Sequence, residues 1–229
     1  MRSLKIVLAA AFVIVGVGCG LPNPYFLTSP GVGSFPAGLA TTCTFTSPGY
    51  AAGSNFVGFE VYYKVISSNT PSTSDINLGG SGVTGPYVLL ANGFFPITLA
   101  TDSAPFSRTI PVIQPASTDI PNALTVTLDF QNSDYFYTVG ATSTTPIGIG
   151  RDLANISPAT GSRSFAVGAT IPNYTSADAD LGSGVFNTCY NTTHQVWIIL
   201  YSLSYGLNGT TIEYSTPVYL GFVGLTQFP

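Results

Sequence analysis

Apolar and polar residues alternate through much of this chain, and they hardly ever recur at helical spacing. Residues 57–66 (VGFEVYYKVI) put Val57, Phe59, Val61, Tyr63 and Val65 on one face and Glu60, Tyr62 and Lys64 on the other. Residues 124–130 do the same, with Leu124, Val126, Leu128 and Phe130 inward and Thr125, Thr127 and Asp129 outward. A period of two marks a half-buried strand. Shorter strands are predicted at 42–46, 94–99, 109–113, 136–139 and 164–167. Residues 196–205 (VWIILYSLSY) are nearly all apolar, so both faces should be covered and the strand should be central. Asn208-Gly209 then supplies a tight hairpin turn, with return strands at 211–215 and 218–223. Many short strands separated by turn clusters predict an all-β fold, a two-layer sandwich of immunoglobulin or fibronectin type III kind with long loop insertions. The long loops fall at 67–93, with a short helix near 86–92, and at 140–164.

The head of the chain breaks this pattern. Arg2 and Lys5 precede an apolar run at 6–17, which ends at Gly18-Cys19. A spanning helix needs roughly 20 apolar residues, so the run reads as an export signal. A small residue before a cysteine is the mark of a lipoprotein signal, in which Cys19 takes a diacylglycerol and becomes the new N-terminus. The alternative is an ordinary secretory signal cut nearby. Three acyl tails, at about 0.8 kcal/mol per buried methylene, anchor stably. Residues 1–18 are thus the signal peptide. Residues 19–39, holding Pro22, Pro24, Pro30 and Pro36, form a Pro/Gly/Ser-rich tether. A single domain spans 40–229.

Composition narrows the function. Charged residues are 7% of the chain and aromatics 13%, so polar surface must come from Ser, Thr and Asn. Loss of Arg2 and Lys5 takes the net charge from −4 to −6, which argues against a nucleic-acid partner. Cys43 and Cys189 remain after Cys19, and in an oxidising compartment they can pair. Their loop of nearly 150 residues would give roughly 4–5 kcal/mol by chain entropy; the alternative is two separate buried thiols.

Three stretches carry a family resemblance. FVGFEVYYKVIS at 56–67 resembles the aromatic strand of fibronectin type III-like domains. YSLSYGLNGTTIEYSTPVYLGF at 201–222 resembles the closing hairpin of surface lipoproteins from leptospiral spirochaetes, where an SYG turn precedes a strand ending near YS-x-PVYLG. The matching residues here are Ser204-Tyr205-Gly206 and the run from Tyr214 to Gly221. Cys19-Gly20-Leu21-Pro22-Asn23-Pro24-Tyr25-Phe26-Leu27 is similar to their proline- and tyrosine-rich tether. The resemblance covers about a quarter of the chain. It implies a fold and a membrane address, and no chemistry.

Candidate catalytic groups are sparse. His194 is the single histidine, and it reads as a strand-edge residue rather than part of a Ser-His-Asp site. Gly79-Gly80-Ser81-Gly82-Val83 lacks the last glycine of a nucleophile elbow. One histidine and two distant cysteines make no closed zinc site. Asp178 and Asp180, with Asp152, offer alternate oxygens to calcium; an EF-hand would need Glu where Cys189 stands. The other reading of that pair is a solvated acidic turn, so neither metal nor cofactor is expected. Asp129 and Asp134 flank a turn, and only their separation in space would make them a glycosidase pair. Tyrosines, among them Tyr62, Tyr63, Tyr201, Tyr205, Tyr214 and Tyr219, either stack on a glycan or protein partner or cover the core. Glu213 with the Asn208-Gly209 turn is one candidate binding tip. Sequons at Asn155, Asn173, Asn191 and Asn208 follow from Ser/Thr/Asn richness. The sequence therefore points to a non-enzymatic, lipid-anchored surface protein. Its partners would be the membrane, through the anchor, and a host or matrix protein or glycan. A self-assembling surface subunit and a carboxylate-dependent glycan hydrolase are the alternatives.

Overall fold

The computed structural model describes residues 27–33, 40–51, 53–66, 71–79, 83–102, 108–151, 164–165, 174, 178, 180–181 and 195–226. Cys19, Asp152, Cys189, His194, Asn155, Asn173, Asn191 and residues 80–82 lie outside that set, so the expectations placed on them do too.

Strands dominate. They are β1 (Gly31–Val32), β2 (Thr42–Ser47), β3 (Phe56–Ile66), β4 (Phe95–Leu99), β5 (Leu124–Asp129), β6 (Asp134–Val139), β7 (Thr142–Ser143), β8 (Ile147–Arg151), β9 (Gln195–Asn208), β10 (Thr211–Tyr214) and β11 (Val218–Thr226). Two short helices, α1 (Thr73–Ile76) and α2 (Tyr87–Ala91), join β3 to β4. The strand order is β1-β2-β5-β6-β8-β4-β3-β9-β10, with β11 also on β9 and β7 on β6. All these pairs are antiparallel.

The predicted two layers are one curled sheet. The reason is β4, which hydrogen-bonds to β3 through Tyr62 and Tyr63 and to β8 through Ile149, Gly150 and Arg151. The curl brings the far ends together: Cys43 Sγ donates to the Leu220 carbonyl at 3.4 Å, and Gly224 N to the Ala40 carbonyl at 3.2 Å. Inside lies the main core, where Phe45 and Phe59 meet edge to face at 5.2 Å beside Val126, Ile198 and Val223. β9 is central as its apolar run requires, with β3 on one side and β11 then β10 on the other.

Pattern and structure part company in β3. A bulge between Phe56 and Gly58 turns both Phe56 and Phe59 into the core and leaves Val57 half-buried. A bulge adds one residue and so shifts the alternation. The face expected to be wet is also covered. Leu89 of α2 and Phe94 pack on Tyr62, Ile199, Tyr201 and Leu203, a second small core outside the curl.

Other expectations shift. The 109–113 strand reduces to one bridge between Phe59 and Ile113. Ser164 and Phe165 are not in a strand. The presumed loop at 140–164 contains β7 and β8. The expected tether is partly docked: β1 pairs with β2, Ser29 Oγ donates to the Thr216 carbonyl at 3.0 Å, and Thr28 O accepts Tyr50 Oη and Ser204 Oγ, each at 2.6 Å.

Candidate functional site

A chain this poor in charge can hide an ionised group only if it is paired. Among the described residues two places do so, and both combine an arginine, carboxylate and tyrosine.

The first lies on the outer face. Glu60 is buried on β3, where its neighbours in sequence are apolar. Its carboxylate accepts Tyr62 Oη at 2.5 Å and Arg108 Nη2 at 3.3 Å. Arg108 stays 22% exposed, so the pair touches water on one side. Beyond it on the same face come Tyr205 of β9 and Tyr214 of β10, directly opposite in register, with rings 5.4 Å apart and nearly perpendicular. Burial, then the Glu60 charge, raises the pKa of both hydroxyls, that of Tyr214 to about 12. Neither hydroxyl has a hydrogen-bond partner among the described residues. Gly85 N donates to the Ser215 carbonyl at 3.1 Å and brings the start of α2 alongside. Tyr87, the first residue of α2, is 77% exposed. Tyr87 thus stands exposed near Tyr214, whose ring packs on the buried Tyr205, beside a half-sealed ion pair. Rings offer stacking area and hydroxyls offer both donor and acceptor, which suits a glycan or a protein surface.

The tyrosines divide by role. Tyr201 donates to the Ile76 carbonyl at 2.6 Å and pins α1, while its ring meets Phe94 at 5.2 Å. Burial, then Tyr201, lifts Tyr219 to about 12. Tyr62 and Tyr63 serve buried carboxylates. Tyr62, Tyr63 and Tyr201 therefore follow the core-covering reading.

The second cluster is inside. Arg151 at the end of β8 is fully buried. Its Nε donates to Asp180 Oδ2 at 2.7 Å, its Nη2 to Asp178 Oδ2 at 3.0 Å and also to Asp180 Oδ1. Tyr63 Oη donates to Asp180 Oδ2 at 2.9 Å, and the guanidinium lies 4.1 Å over the Tyr174 ring. Burial alone would lower the Arg151 pKa; the Asp180 hydrogen bonds and the neighbouring acids outweigh it and raise it. Asp178 and Asp180, candidates for calcium, face a guanidinium instead. No group of three His, Cys, Asp or Glu side chains that could hold a metal occurs among the described residues.

The remaining candidates are structural in place. Asp129 and Asp134 are opposite each other at the β5–β6 turn. Asp129 Oδ1 accepts Gln131 N at 2.9 Å and Asn132 N at 3.1 Å. Burial, then the Asp129 charge, raises the Asp134 pKa. Glu213 accepts Asn208 Nδ2 at 3.1 Å and Asn55 Nδ2 at 3.4 Å, so it braces the hairpin expected to serve as a tip. The structure does not show the expected Cys43–Cys189 disulfide: Cys43 is a buried free thiol on β2, and Cys189 is outside the described residues. No helix among the described residues is long and apolar enough to cross a membrane.

Comparison with family models, curated proteins and solved structures finds no match to this chain.

Sequence reasoning passed over Glu60, Arg108, Tyr87, Arg151 and Tyr174. One signal was present. Glu60 is one of two glutamates in the chain and sits inside FEVYY, where a charge needs a partner.

Proposed function

We propose that this chain is a lipid-anchored bacterial surface protein, akin to leptospiral surface lipoproteins, whose β body acts as a non-enzymatic binding or structural module. The address is supported by the order of cationic head, apolar run and Cys19. The single observation that carries the binding role is the 77% exposed Tyr87, set near Tyr214 and the partly exposed Arg108. Its ligand is a host or matrix glycan or protein, met at Tyr87, whose segment lies against Ser215 at the end of β10 far from the hairpin turn. The body folds as an immunoglobulin- or fibronectin-like sandwich. The support is that the β2-β5-β6 half and the β3-β9-β11 half face each other over a common core.

Two measurements test it. Cys19→Ala should abolish fatty-acid labelling and shift the protein to the aqueous phase of a detergent split; persistence in the detergent phase would sink the anchor. A glycan and matrix-protein array probed with the exported protein and with Tyr87→Ala should show a ligand that the variant loses. Equal binding by both would remove Tyr87 as the site.

A further inference from the structure

Eight large apolar side chains stay exposed among the described residues, and two of them, Leu207 (41%) and Ile212 (49%), are direct partners in the β9–β10 hairpin. They lie on the same face as Tyr205 and Tyr214, next to the turn. That turn is formed by Gly209, whose φ of 62° fits the first central position of a two-residue hairpin loop, and Thr210. The hairpin is also where the N-terminal segment meets the body. A Cβ on Gly206 would stand 2.9 Å from Leu27 Cδ1, so Leu27 rests on the hairpin two residues from its last β9 position. From there the chain climbs away: Thr28 binds Ser204, and Gly31 pairs with Thr46. Leu27, beside Gly206, therefore lies nearer the turn than Thr28, beside Ser204.

Cys19 is eight residues before Leu27. At about 3.6 Å per residue, the leash between them cannot exceed about 29 Å. Trp197, near the other end of β9, is nine residues from Gly206, roughly 30 Å away along a strand. Turning that end to the bilayer would consume the whole leash in running back along the body.

We propose that the β9–β10 hairpin is the membrane-facing end of the molecule, and that Leu207 and Ile212 enter the interface of a lipid bilayer beside the acylated N-terminus. This rests on the proposed anchor and adds an orientation to it. Two apolar side chains bind a membrane too weakly alone; tethered within a leash length, they act at high effective concentration. The chain's negative charge favours zwitterionic over anionic lipid. The body is then held close to the bilayer rather than lifted away on a long stalk.

The test uses the full exported protein in phosphatidylcholine vesicles with brominated acyl chains. Ile212→Trp adds an indole at an exposed position, and the buried Trp197 serves as the distant reference. Bromolipid should quench the introduced indole several-fold more than Trp197, and aqueous iodide should barely reach it. Leu207→Trp should behave alike. Mass spectrometry of the N-terminus runs on the same samples. Acylated Cys19 with an introduced indole open to iodide and untouched by bromolipid overturns the orientation and leaves the anchor standing. An N-terminus without acyl chains overturns both. Shielding in lipid-free samples that follows protein concentration assigns the patch to a second copy and also overturns the proposal.

Discussion

Arg151 and Arg108 are two solutions to one problem. Each neutralises acid in a chain with few charges, and each is flanked by tyrosines. Arg151 is sealed, with Asp178, Asp180 and the Tyr174 ring around it and Tyr63 holding Asp180. Arg108 keeps one side in water and binds one carboxylate. Asp178 and Asp180 precede Leu181, whose bridge to Val65 places that segment on β3. The sealed cluster therefore ties β8, β3 and a distant segment together. The open one leaves the exposed Tyr87, the half-buried Tyr214 and one side of a cation facing outward, with the Tyr205 ring covered. The same residue types are sealed in one place and reach water in the other, and burial decides which.

The largest effect should come from breaking the sealed cluster. Arg151→Met strands two buried carboxylates and should cost about 3–5 kcal/mol, read as a fall in the urea midpoint. Adding Asp178→Asn and Asp180→Leu should restore much of that loss. A single variant within about 1 kcal/mol of the parent would show that the cluster does not hold the fold.

Alkaline titration separates the two regions next. A tyrosine hydroxyl ionises near 10 in an unfolded chain. Burial pushes Tyr135 to about 12, with a further contribution from Tyr137, and burial with Glu60 pushes Tyr214 to about 12. The unfolded state then sheds protons first, so stability is whole below pH 10 and falls as pH rises from 10 through 12. Burial raises Tyr63 and Tyr174 above the usual phenol range, so their phenolate absorbance should appear only together with unfolding. Phenolate absorbance that is complete before the loss of circular dichroism would contradict it.

Arg108→Ala should do less than the Arg151 variant, about 1–3 kcal/mol, because Tyr62 still serves Glu60 and water replaces the guanidinium. Thermal unfolding monitored alongside Arg151→Met gives the ratio directly. Smallest is Tyr87→Ala, expected within about 0.5 kcal/mol of the parent while ligand capture drops. A large stability loss there would mean the ring is part of the packing.

The fold was legible where local pattern and final burial agree. Leu124 to Asp129, the β9 run, the 86–92 helix and the Asn208-Gly209 reversal all lie near their predicted positions, since each depends on neighbours in sequence. β8 was not, because two of the five residues of IGIGR are glycines, which are poor in strands; its pairing with β4 and β6 makes it a strand. β1 was hidden among prolines and glycines for the same reason. The site was less legible still. Arg151 meets its acids 27 and 29 residues later, and Arg108 meets Glu60 across 48. Spacing on a single element cannot reveal such partners. Asp178 and Asp180 were singled out correctly as a pair, but the cation they face comes from another strand.

Cys43 has a practical consequence. Its side chain is sealed in the wall of the curl, and burial pushes its thiol up to about 12. Alkylating reagents attack the thiolate, so at neutral pH the intact body should shield this sulfur from them. Each modification at Cys43 then records a moment when β2 and β11 part, and its rate serves as a native clock for breathing of that seam.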